Sequence, residues 1–150
     1  MVFCVEWRVN VQILIIRHGD PDYSIDSLTE KGWREAELLA ERLSKLDVRE
    51  FYVSPLGRAK DTASLTLKKM NRKAVELPWM QEFFRADIDR PDAEGRTIVW
   101  DWLPQDWMKE EKYYDKVNWT DTAIMRDSRV AEEYRWVADG LDELLAGYGY

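Results

Sequence analysis

The sequence predicts an α/β domain built on a mainly parallel sheet, and three observations lead there. Residues 11–16 form an almost unbroken run of β-branched and leucine side chains, the pattern of a strand covered on both faces. Strand-like and helix-like segments then alternate as far as Leu77, the order of βαβ units. Finally, 150 residues, 45% hydrophobic and 13% aromatic, suffice for one buried core and exclude a disordered chain.

Taken in order, residues 1–10 read as a leader or start extension ahead of a domain over 11–150. The strand Val11–Ile16 ends at Arg17-His18-Gly19, and a turn-rich stretch follows with Asp20, Pro21, Asp22, Ser24 and Asp26. A helix is predicted over Ser27–Ser44, capped by Ser27 or Thr29, with Glu30 completing a box from Ser27. Its apolar face is Ala36, Leu39, Ala40 and Leu43. Phe51–Val53 is a short strand. Ser54 and Pro55 then suit the cap and first position of a second helix, with Arg58 in its first turn. Ala59, Thr62, Ala63 and Thr66 give that helix a face of small residues suited to packing on a sheet. Val75–Leu77 is a third strand, ended by Pro78.

From about 87 to 127 the periodicity is lost, so this stretch reads as an irregular insertion with a short helix at Gln105–Tyr114. Its aromatic residues, from Trp100 to Trp119, suit either packing of the insertion or contact with an organic part of a ligand. Asp87, Asp89, Asp92 and Glu94 form a solvated acidic loop rather than a calcium loop, whose third ligand position would fall on Pro91. Ser128 caps a last helix whose face is Val130, Tyr134, Val137, Leu141 and Leu144. Gly147 and Gly149 end it.

The net charge is −7, made of +2 in residues 1–75 and −9 in residues 76–150. An acidic surface disfavours nucleic acid and anionic membrane as partners, yet leaves room for a small anion held by clustered arginines. No apolar run approaches the ~20 residues of a membrane span, and Glu6 and Arg8 interrupt any signal-like start. One cysteine, Cys4, and one histidine, His18, cannot build a zinc site of the usual ligand types. A soluble cytoplasmic domain without a metal is the expectation.

Arg17-His18-Gly19 follows directly on a predicted buried strand, and ligands of open α/β sheets bind at the carboxyl ends of strands. Glycine lets the backbone approach a ligand, and arginine offers a planar cationic fork for phosphate. A neutral imidazole with one ring nitrogen fixed by a hydrogen bond can act as a nucleophile through the other. The alternative is a histidine that merely satisfies a turn. Ser54-Pro55-Leu56-Gly57-Arg58-Ala59 opens at the same sheet edge, where Arg58 would add to the free amides and positive end of a helix. Alone, it is equally a surface arginine beside a helix start.

The series Arg17-His18-Gly19, Leu28-Thr29-Glu30-Lys31-Gly32, Ser54-Pro55-Leu56-Gly57-Arg58-Ala59-Lys60-Asp61-Thr62-Ala63 and Glu82-Phe83 resembles the histidine phosphatase superfamily, with its phosphoglycerate-mutase-like fold. The resemblance implies a three-layer α/β/α architecture and a phosphorylated small-molecule substrate. It implies that His18 accepts the phosphoryl group, that Arg17 and Arg58 hold the phosphate oxygens, and that Glu82 protonates the leaving oxygen. Water would then cleave the phosphohistidine, with no metal or other cofactor.

The chain departs from that pattern at one point. The family carries a second histidine on a strand after the last long helix, whereas His18 is the only histidine here. The resemblance therefore implies a domain truncated before its C-terminal strands, which would leave the first strand with an open edge. The expected activity is phosphomonoester hydrolysis. Its alternatives are a mutase-type phosphotransferase and a non-catalytic phosphate-binding remnant. Oligomeric state and substrate identity stay open at this level.

Overall fold

The computed structural model describes residues 12–81, 87–89, 96–99 and 102–150; the predicted leader and Glu82 lie outside them. Strands β1 (Pro21–Asp22) and β2 (Ser27–Leu28) pair antiparallel, with Pro21 opposite Leu28. The turn between them is built by Asp22, whose Oδ1 accepts from Ser24 N–H at 3.0 Å and from Ser24 Oγ at 2.5 Å. An aspartate side chain substituting for a backbone acceptor is a recurrent turn device. The turn closes at Asp26, which has φ 47°.

Helix α1 (Glu30–Leu43) starts at Thr29, whose side chain accepts from Gly32 N–H at 3.1 Å. Of the two predicted caps the structure uses Thr29. Ser27 is drawn into β2, where its hydroxyl donates to Asp61 Oδ2 at 2.5 Å. The predicted face is correct: Ala36, Ala40 and Leu43 are buried, and Glu30 pairs with Arg34 one turn on. Strand β3 (Tyr52–Val53) pairs parallel with β4 (Val75–Glu76), Tyr52 opposite Val75.

Between those two strands runs helix α2 (Gly57–Met70), which begins two residues later than the sequence predicted. Ser54 Oγ accepts from Leu56 N–H at 3.3 Å instead of capping the helix itself. Asn71, at φ 51°, ends it, and Arg72 N–H reaches back to Leu67 O at 2.9 Å; asparagine tolerates this left-handed geometry. Helix α2 packs chiefly against α1, with Thr62 and Thr66 of its small face buried. Small residues on both helices permit that close approach.

The largest correction concerns the first strand. Residues 12–16 join no sheet among the described residues, and Ile15 is 94% exposed. An apolar β-branched run becomes a covered strand only where neighbouring strands and helices cover it, and the described elements supply none. The parallel sheet is consequently the β3–β4 pair.

The insertion is more ordered than its sequence suggested. Strands β5 (Asp87–Asp89) and β6 (Arg96–Ile98) pair antiparallel. The helix predicted over Gln105–Tyr114 is broken into α3 (Pro104–Trp107) and a 3-10 turn at Glu111–Tyr114. Helices α4 (Ala123–Arg126) and α5 (Val130–Ala146) follow. Ile88, Val99, Trp102, Met125 and Val130 form one buried cluster, each side chain worth about 1.5–3 kcal/mol relative to exposure. Around it, Trp102 meets Trp107 and Tyr113 edge-on at 5.1 and 5.3 Å. Trp107 meets Trp119 at 6.0 Å, and Trp119 meets Tyr134 at 5.5 Å. These aromatic residues are packing; Trp100 lies outside the described residues. On α5, Val130 is buried as predicted, whereas Tyr134 and Leu141 stay about 40% exposed. Gly140 lets this helix close on Trp79, whose ring would stand 2.5 Å from any added Cβ.

Candidate active site

The segment that follows the exposed apolar run is held in place by α1 and α2. Gly19 N–H donates to Thr62 Oγ1 at 3.0 Å, and the same hydroxyl donates to Arg58 O at 2.7 Å. On the other side, Asp20 N–H donates to Glu35 Oε2 at 2.8 Å, and Thr29 N–H donates to Asp20 O at 3.0 Å. Thr29 Oγ1 also donates to Asp20 Oδ2 at 2.7 Å, and Lys31 Nζ stands 3.4 Å from Asp20 Oδ1. The Thr29 hydroxyl, and after it Lys31, holds the Asp20 carboxyl below the usual carboxylate range.

Arg17, His18, Gly19, Asp20, Pro21 and Glu35 line a cleft of about 240 Å³, small beside the roughly 300–1,000 Å³ typical of drug-sized ligand sites. The backbone brings these groups together because Gly32, at the start of α1, has no side chain. A Cβ there would stand 2.2 Å from Asp20 O.

His18 Nδ1 lies 2.8 Å from Gly19 O. A carbonyl oxygen only accepts, so Nδ1 carries a proton, and in the neutral ring the lone pair is then on Nε2. Nε2 is buried and has no hydrogen-bond partner among the described residues. An unsatisfied buried acceptor costs about 1–3 kcal/mol. It calls for an explanation of the kind a reactive atom supplies.

Arg58 lies in the first turn of α2, as predicted. It is buried and is not among the residues that line the cleft. Its Nη1 donates to Asp26 Oδ1 at 2.7 Å, and its guanidinium lies 5.3 Å from the centre of the Tyr23 ring. Asp26 Oδ2 accepts from Gly57 N–H at 2.6 Å, so one carboxylate spans the arginine and the first amide of α2. The Gly57 amide first, and then the Arg58 guanidinium, depress the Asp26 carboxyl below the usual range.

The structure thus unites Arg17 and His18, and ties Arg58 to them through Thr62. Glu82 lies outside the described residues. Among the described residues, no group of three or more histidine, cysteine, aspartate or glutamate side chains is placed to hold a metal ion; Asp92 and Glu94 lie outside them. No helix among the described residues is long and apolar enough to cross a membrane. Sequence reasoning missed Glu35, Asp26 and the bridging role of Thr62. Thr62 stood out only as part of the small face of α2 and of the motif that carries the resemblance. Nothing local marked the other two.

A family model described as the histidine phosphatase superfamily (branch 1) matches residues 12–141. The chain belongs to this superfamily. Among curated proteins, a 2,3-bisphosphoglycerate-dependent phosphoglycerate mutase of Thermoplasma acidophilum is 38% identical, over 41% of this chain and 36% of its own length. A protein named probable phosphoglycerate mutase GpmB, from Photorhabdus laumondii, is 25% identical over 71% of this chain and 49% of its own. A 2,3-bisphosphoglycerate-dependent phosphoglycerate mutase of Methanosarcina acetivorans is 29% identical over 91% of this chain and 56% of its own. The chain spans about half the length of the curated relatives it matches. Histidine phosphatase membership and an α/β fold agree with the sequence reading.

Proposed function

We propose that this histidine phosphatase domain transfers phosphoryl groups through a phosphohistidine at His18, with water as the final acceptor. The observation that carries the reading is the His18 ring: Nδ1–H is committed to Gly19 O, and Nε2 has no partner among the described residues. In the first step the Nε2 lone pair forms a bond to phosphorus, and the bond from phosphorus to the leaving oxygen breaks. Arg17, lining the same cleft, takes up charge on the equatorial oxygens, the principal form of catalysis in phosphoryl transfer. Glu82 is proposed to give its proton to the leaving oxygen. Water then attacks phosphorus, the N–P bond breaks, and the water proton returns to Glu82. Arg58 joins as a phosphate ligand by exchanging part of its contact with Asp26 for a substrate oxygen. No step in this scheme calls for a metal.

A mutase is the second reading, favoured by the names of the relatives. In that case the phosphohistidine returns its phosphoryl group to a phosphoglycerate rather than to water. One assay separates the two. Purified chain with a chelator is given para-nitrophenyl phosphate, and in parallel 3-phosphoglycerate with catalytic 2,3-bisphosphoglycerate. Release of nitrophenol and inorganic phosphate is the expected result. Formation of 2-phosphoglycerate without phosphate release would favour the mutase. Phosphate binding with neither reaction would support the non-catalytic remnant and sink the catalytic reading.

A further inference from the structure

Glu35 has no part in the chemistry proposed above, yet it lines the cleft with His18 and Arg17. Its Oε2 is fixed by the Asp20 amide at 2.8 Å, and its Oε1 lies 3.6 Å from Lys31. Accepting from a backbone amide needs only a carbonyl-type oxygen, which a glutamine would also offer. The negative charge is offset in part by Lys31, which Glu35 shares with Asp20. It lines the cleft that takes a phosphate dianion on the proposed mechanism, and like charges there disfavour each other.

Charge matching around the cleft sharpens the point. Lys31 is already shared by Asp20 and Glu35, and Arg58 is already paired with Asp26. Among the described cleft residues, Arg17 alone is a cation. A second negative group on the substrate would therefore meet Glu35 and Asp20. A positive group would find them as partners. The net charge of −7 works in the same direction during encounter, and the small cleft volume favours a short alcohol.

We propose that Glu35 is a specificity-determining residue that selects small phosphomonoesters whose alcohol carries a positive charge, against those whose alcohol carries a carboxylate. This inference rests on His18 as phosphoryl acceptor.

The test compares kcat/KM for O-phosphoethanolamine and phosphoglycolate, two esters of similar size and opposite distal charge, beside para-nitrophenyl phosphate. Wild-type chain is expected to prefer O-phosphoethanolamine by about tenfold or more, the equivalent of ~1.4 kcal/mol. Glu35→Gln retains an acceptor for the Asp20 amide and should bring the ratio within about threefold, chiefly through KM. Glu35→Asp keeps the charge and should preserve the direction of the preference, with thermal melts checking that both variants fold. Preference for phosphoglycolate, or an unchanged ratio in Glu35→Gln, overturns the inference. Hydrolysis of para-nitrophenyl phosphate without any preference defeats this inference alone. Failure to hydrolyse all three esters removes the His18 reading and this one with it.

Discussion

Replacing His18 with alanine is expected to lower para-nitrophenyl phosphate turnover by at least about 10³-fold, while the melting temperature moves by only a few degrees. The rate effect follows from loss of the nucleophile, for which the remaining groups offer no substitute. Small stability effects follow from the ring's contacts. Its hydrogen bond runs to the adjacent Gly19 carbonyl, and its other nitrogen is buried without a partner among the described residues, so deletion removes a desolvated atom as well as a contact. The separation of the two readouts is the informative part. A variant that loses activity only because it unfolds would show both changes together, and circular dichroism melts on the same samples would reveal it. Turnover retained at wild-type level would show that a different group, or a contaminant, carries the reaction.

Gly32→Ala carries the largest expected effect on stability. Helix propensity alone predicts a gain, since alanine in a helix is favoured over glycine by about 1 kcal/mol. The contact argues the opposite way. An added Cβ would lie 2.2 Å from Asp20 O and 3.0 Å from Asp20 N, and backbone atoms held by Thr29 and Glu35 have little freedom to retreat. Overpacking of this kind costs about 1–3 kcal/mol, so the variant is expected to be net destabilised and to lose most of its turnover as Asp20 is pushed out of place. Urea unfolding gives the sign directly. A higher midpoint than wild type would mean that residues 17–21 do not rest on α1, and the geometry of the cleft would be wrong.

What could be read from the sequence divides along physical lines. The long helices α1, α2 and α5 were legible because their apolar or small residues repeat at helical spacing, and Thr29 was among the caps predicted for α1. The predicted strand was misread over residues 12–16 because a strand is defined by what lies beside it. The same side chains that suit a covered strand are left exposed where no neighbour covers them. Trp102, Trp107, Tyr113 and Trp119 looked like a broken pattern because they pack on one another across irregular backbone rather than along one helix face.

At the site, Arg17 and His18 were singled out because they are adjacent in the chain and follow a strongly marked segment. Glu35, Asp26 and Thr62 were not, because their contacts join residues 15, 32 and 43 positions apart. Asp26 counted only as a turn residue, and nothing in a single sequence tells that it grips Arg58. The direct involvement of Arg58 with phosphate is accordingly the part of the resemblance that the geometry qualifies most. Its guanidinium has a carboxylate partner in Asp26, which the proposed mechanism exchanges in part for a substrate oxygen.

The measurement that bears most directly on the account is the position of the phosphoryl group during turnover. Chain incubated briefly with a radiolabelled phosphoryl donor and quenched in alkali is expected to retain label on the peptide containing His18. That label should survive base and be lost in mild acid, as a phosphoramidate bond requires. Turnover with no label at His18, or label that is stable to acid and maps to another residue, would contradict a phosphohistidine mechanism in this protein.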